Sequence, residues 1–146
     1  MNIVRTPIEV RYQETDQMGV VYHANYLIWF EIGRTKFIES LGFTYTDMEK
    51  DGIVSPVIDA QIQYKKPIHY GDPVVIQTWL EDYDGIRTVY GYRVIGNHNK
   101  TAATGTTKHV IVNKETFKPL SLRKAFPEWH NAYIKQFEAK SNGIRN

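Results

Sequence analysis

The residues best equipped for chemistry lie in one short stretch, YQETDQMGVVYHANYLIWFE, running from Tyr12 to Glu31. Asp16 supplies a carboxylate, Gly19 a backbone that can reverse direction, His23 an imidazole and Asn25 an amide. A positioned carboxylate attacks a carbonyl carbon directly, or takes a proton from the water that does so. The first N–H groups of a helix have no intrahelical acceptors, so they can polarise a carbonyl oxygen and hold the oxyanion that forms on it. Together these are the minimum parts of a hydrolase for an activated ester. Each residue also has a plain structural use: Asp16 in a turn, His23 hydrogen-bonded at a helix start, Asn25 as a cap. Tyr12 and Tyr22 fit packing roles equally well, and Glu14 reads as a solvated edge residue. Residue types and spacing alone leave both readings open.

Positioning these groups requires a strand, a turn and a helix in that order. PIEVRYQET (7–15) alternates Ile8, Val10 and Tyr12 against Glu9, Arg11 and Gln13, the period of a strand. DQMG supplies the turn. Residues 24–40 predict a helix, because Tyr26, Trp29, Phe30, Gly33 and Phe37 recur three or four apart. Leu27, Ile28, Ile32 and Ile38 widen its apolar surface well beyond one stripe, so it is expected to be wrapped on several sides. Gly33 is unfavourable in mid-helix and implies a neighbour that comes close there. After a loop over 44–56 come four strand-like runs, at 57–66, 73–82, 86–96 and 102–113. The EDYDG and GNHNK turns between the later runs are short, which requires antiparallel neighbours. A last helix is expected from Pro127. One very apolar helix beside five or so strands predicts an α+β fold. Its curved antiparallel sheet would wrap around the long central helix, and its open edges could pair a second subunit.

The length of 146 residues favours one domain over 1–146, ending in the helix from 127. An apolar content of 42% excludes an intrinsically disordered chain. The absence of cysteine excludes disulfides, a cysteine nucleophile and thiolate metal ligands. No apolar run reaches the roughly 20 residues of a membrane span, and the N-terminal segment lacks a signal-peptide pattern, so a cytoplasmic protein is expected. The formal net charge is only +2, and the lysines and arginines form no stripe, which argues against a nucleic-acid partner. His23, His69, His98, His109 and His130 show neither an HExxH pattern nor clustering, so no metal is expected. Ser40, Ser55, Ser121 and Ser141 lack a GxSxG context.

RYQETDQMGVVYHANYLIWFEIGRTKFIESLG (11–42) resembles the signature segment of hotdog-fold acyl-CoA thioesterases of the 4-hydroxybenzoyl-CoA thioesterase family. It is especially similar to the branch associated with the bacterial Tol-Pal proteins. YKKPIHYGD (64–72) resembles the family's second signature. The resemblance implies a hotdog fold and hydrolysis of an acyl thioester. Coenzyme A would be the carrier part of the substrate rather than a cofactor, with acyl carrier protein as the other carrier. A homodimer or homotetramer is implied as well. Asp16 matches the catalytic carboxylate. The His23 N–H matches the group that polarises the thioester carbonyl, and its imidazole matches a histidine that positions water or supports the site. Tyr12 matches an active-site aromatic on the substrate side, and Asn25 a polar residue that orders the helix start beside the substrate. Glu31 and Glu39 are acids on the central helix, where another branch places its carboxylate, but the intact TDQMG favours Asp16. Lys65, Lys66, Arg87, Arg93, Lys100 and Lys108 are available for the phosphates of coenzyme A. The competing readings are a noncatalytic acyl-thioester or protein-binding module, and a dehydratase of the same fold recruiting His69 or His109.

Overall fold

The computed structural model describes residues 2–145, with side chains through Glu138. In chain order its elements are β1 (Val4–Ile8), α1 (Asn25–Ser40), α2 (Tyr45–Lys50), β2 (Ile53–Val54), β3 (Val57–Tyr64), β4 (Val74–Tyr83), β5 (Arg87–Ile95), β6 (Thr101–Val110), β7 (Val112–Asn113), α3 (Leu122–Ala125) and α4 (Pro127–Arg145). Five strands form one antiparallel sheet in the order β1-β4-β5-β6-β3. The small β2–β7 pair stands apart from it.

The sheet packs against one face of α1. Trp29, Phe30 and Phe37 are fully buried there. Phe30 stacks on Tyr92 of β5 with ring centres 4.2 Å apart, and Phe37 meets Tyr90 edge-on at 5.7 Å. Two glycines make this closeness feasible. A Cβ on Gly33 would fall against the Thr78 hydroxyl of β4, and one on Gly105 of β6 would lie 2.6 Å from both the Phe30 ring and the Gln61 carbonyl. The mid-helix glycine is thus kept for helix–sheet contact, as its position predicts.

A polar chain is sealed between helix and sheet. Arg34 of α1 donates from Nε to the Tyr45 hydroxyl (2.8 Å) and from Nη1 to the Tyr92 hydroxyl (3.1 Å). The Tyr92 and Thr107 hydroxyls share a 2.6 Å hydrogen bond. Thr107 Oγ1 is also bonded to His109 Nε2 at 2.9 Å, and His109 Nδ1 lies 3.0 Å from the Ser55 carbonyl. Burial, reinforced by the Arg34 charge, pushes His109 down to about 4, so it is neutral near pH 7.

Two expectations need correction. The first strand ends at Ile8 rather than running through 15, and Tyr12–Glu14 forms a 3-10 turn. Alternation persists in the letters but not in the backbone, because Glu14 folds back onto the Arg11 N–H and is drawn into the core. Nor is α1 wrapped on several sides within one chain: Leu27, Ile28 and Ile32 remain 44%, 45% and 39% exposed. Among the described residues the edge strand β3 pairs only with β6, and it is exposed along almost its whole length.

Candidate active site

The chain from Arg11 to Asn25 folds back on itself and is tied at its base. The carboxylate of Glu14 accepts from Arg11 N (2.8 Å) and from the Trp29 indole (3.0 Å), with the Arg11 guanidinium 3.6 Å away. The Glu14 carbonyl accepts from Tyr22 N and from the Asn25 side chain, each at 2.8 Å. Above that base Thr15 bridges to Val21, and Asp16 N donates to the Val20 carbonyl at 2.8 Å. Gly19, at φ +80°, closes the tip and donates to the Asp16 carbonyl. Val20 and Val21 bind the return arm to the Ile68–His69 segment.

This frame decides what Asp16 can do. Its Oδ1 accepts from Met18 N at 2.8 Å and, more weakly, from Val20 N at 3.4 Å. Its Oδ2 has no hydrogen-bond partner among the described residues. One oxygen therefore fixes the carboxylate while the other keeps its lone pairs for a water or a carbonyl carbon. At the start of α1, the N–H groups of Asn25, Tyr26 and Leu27 donate to the carbonyls of Tyr22, His23 and Ala24. The donors left without acceptors among the described residues lie one step earlier, at the exposed His23 and Ala24. A tight first turn thus leaves the free N–H groups at the residues just before the helix.

His23 borders a cleft of about 290 Å³, together with Val20, Tyr26, Tyr64, Lys65 and Lys66. The Tyr64 hydroxyl donates to the His23 carbonyl at 2.9 Å. Burial, and then the neighbouring Tyr64, pushes Tyr26 up to about 12, so it remains a neutral phenol. Asp16 does not line this cleft, and no hydrogen bond or ion pair joins its carboxylate to His23. The two are carried by one hairpin and act, if together, through a group held between them.

Of the other residues singled out, Asn25 is half-buried and uses its side-chain N–H on Glu14. Tyr12 is 75% exposed and packs edge-on against Tyr70, with ring centres 5.8 Å apart. His69 is exposed beside Asp72 on the segment bridged to Val20, and His109 is committed to the sealed polar chain. Glu14 is the residue that sequence reasoning misplaced. It is 4% exposed and anchors the whole loop. The available signal was Trp29, whose indole N–H requires an acceptor once its ring is buried on the helix.

A five-stranded antiparallel sheet laid on one long helix is the architecture of the hotdog-fold thioesterases to which this chain is similar. The sequence model of the Thioesterase-like superfamily matches residues 10–132, and the chain belongs to that family. It is 56% identical over 135 residues to a Bacillus subtilis protein named "Putative acyl-CoA thioesterase YneP", covering 92% of this chain and 98% of that one. It is 28% identical over 123 residues to the acyl-CoA thioester hydrolase YbgC of Escherichia coli, covering 84% and 92%. The crystal structure of a DHNA-CoA thioesterase from Staphylococcus aureus superposes with a TM-score of 0.95 at 46% identity, covering 98% of this chain and 96% of that one. No helix among the described residues is long and apolar enough to cross a membrane.

Proposed function

We propose that this protein hydrolyses an acyl thioester of coenzyme A to the free acid and coenzyme A, with Asp16 as the reacting carboxylate. The observation that carries this reading is the half-free carboxylate of Asp16, on a hairpin tied to a helix start with unpaired N–H groups. The His23 and Ala24 N–H groups polarise the thioester carbonyl and hold the negative charge that develops on its oxygen. In one route Asp16 takes a proton from water as that water adds to the carbonyl carbon. In the other, Asp16 Oδ2 adds directly, the thiolate leaves, and water opens the resulting anhydride. In both, the C–S bond breaks, one water is consumed, and the sulfur ends protonated. The His23 imidazole places water or orients the substrate. Asn25 holds the helix start, and Tyr12 stands on the substrate side. Lys65 and Lys66, beside the His23 cleft, suit the phosphates of the carrier. The names borne by YneP, YbgC and the Staphylococcus protein support coenzyme A as that carrier, ahead of acyl carrier protein. The Asp16–Tyr26 motif supports the Tol-Pal-associated branch.

The working unit in this reading is a cytoplasmic homodimer, or a tetramer built from two. The exposed Leu27, Ile28 and Ile32 on α1, and the unpaired edge of β3 with Val57 and Ile58 half-exposed, are the surfaces a second copy would cover.

The test is release of free thiol from a panel of aliphatic and aromatic acyl-CoA substrates by wild type and Asp16→Asn. Asparagine keeps the Oδ1 acceptor that the Met18 and Val20 N–H groups require, but removes the charge. Turnover on the best substrate should fall at least about 100-fold in a protein that melts like wild type. Wild-type turnover in the folded variant would remove Asp16 from the chemistry and favour a noncatalytic binding module.

A further inference from the structure

A second cavity, of about 500 Å³, is lined by residues of α1, α2, the β2 segment and the 114–117 turn. Its walls include Met48, Ile53, Val54, Pro56 and Phe117. Arg34 lines it and is 91% buried, as its 9% exposure states. The guanidinium uses Nε and Nη1 on the Tyr45 and Tyr92 hydroxyls, both neutral phenols. Among the described residues no carboxylate lies within ion-pairing distance of it, and Nη2 has no hydrogen-bond partner. Glu31 and Glu49 also line the cavity, with Lys114, but all three side chains are exposed and their charges are screened by water. Arg34 thus turns an open N–H edge toward a cavity whose wall combines apolar side chains with exposed charged ones, and a guanidinium edge of that kind is suited to a planar carboxylate.

We propose that this cavity is a binding site for a free organic acid, one carboxylate on an apolar body of about the size of a bicyclic aromatic. The carboxylate accepts from the open N–H groups of Arg34, in the planar geometry that a guanidinium offers. The body fills the space against Ile53, Val54 and Phe117. A volume of about 500 Å³ lies in the usual range for a site of this kind. The site is separate from the one that carries the chemistry. Arg34 is eleven residues beyond His23, roughly 16 Å along a helix rising 1.5 Å per residue. The ligand belongs to the class that thioester hydrolysis releases, so the site is suited to sensing accumulated product.

The experiment is calorimetric titration of the wild-type protein with 1-naphthoate and with its uncharged amide. Binding is read without turnover, so its outcome is independent of Asp16. Saturable binding of the acid, with the amide at least about tenfold weaker, is expected from loss of a charge-assisted hydrogen bond. Arg34→Met should abolish the difference between acid and amide. Because Arg34 also holds the polar chain, Val54→Phe provides a second test. It fills the cavity without touching that chain, and should weaken acid binding at least about tenfold while leaving thiol release from acyl-CoA unchanged. Absence of saturable binding, equal affinity for acid and amide, or full affinity in Val54→Phe would each overturn the proposal.

Discussion

At the start of α1 the polar groups stand at the surface with hydrogen-bonding capacity left over. Further along the same helix, around Arg34, they are shut against the sheet and largely bonded to one another. Among the described residues, Asp16 has an oxygen without a partner, and His23 and Ala24 have N–H groups without acceptors. Arg34, Tyr92, Thr107 and His109 instead form a run of hydrogen bonds from α1 to the Ser55 carbonyl. Under the proposed function, the difference separates reactivity from stability. Unsatisfied groups are tolerable at a wet surface, where water can pair with them, but they are costly in a core. A change in the first region should therefore appear in turnover, and one in the second in unfolding.

The largest expected effect is the loss of at least about 100-fold in turnover for Asp16→Asn, with the melting temperature unmoved. A large drop in melting temperature would mean that the loop is structural after all, and would collapse the contrast.

The next effect belongs to the buried relay and appears with acid. His109 is held at about 4 when folded, against 6.5 when free, so the unfolded chain binds its proton first as pH falls. The contribution is fully present above pH 6.5 and is lost progressively down to pH 4. Denaturant unfolding at pH 7 and at pH 4.5 should show a loss of about 2 kcal/mol from this group. His109→Gln, which does not titrate, should lack that component. An identical pH dependence in the variant would show that other groups control acid stability.

Gly105→Ala tests the helix–sheet contact itself. The added methyl meets a backbone carbonyl and the Phe30 ring at 2.6 Å, and neither can retreat cheaply. A destabilisation of about 1–3 kcal/mol is expected from overpacking, with turnover per folded molecule preserved.

Glu14→Gln sharpens the comparison because Glu14 belongs to both regions: buried like the relay, yet holding the Asp16 loop. An amide cannot accept at both positions, so unfolding free energy should fall by about 1–2 kcal/mol. Turnover should fall about tenfold as Asp16 loses its register. A change in only one of the two readouts would assign Glu14 to one region alone. The smallest effect is expected for His23→Ala. Its backbone N–H survives the substitution and its exposed ring supports no core contact, so turnover should drop no more than about tenfold, without a shift in melting. A loss larger than that of Asp16→Asn would make the imidazole a principal participant.

The helix, the four later strands and their antiparallel turns were legible in the sequence, because periodicity is set by which side chains a regular backbone sends to one face. Asp16, Gly19 and His23 were legible as a cluster for the same local reason: a turn and a helix start lie within ten residues of each other. The family motif implied a chemistry that spacing alone left open. Only the tertiary structure decided the rest. The alternation through Tyr12 and Glu14 was overridden when the Trp29 indole took Glu14 as its acceptor, a contact fifteen residues apart that no local pattern encodes. The apolar breadth of α1 did not reveal which face the sheet would leave open. Nor could any spacing show that Arg34, Tyr45, Tyr92, Thr107 and His109, drawn from three parts of the chain, would converge on one buried relay. Sequence fixes which groups are present and how neighbours are oriented, whereas partnership between distant polar groups is settled only when burial removes water as the alternative partner.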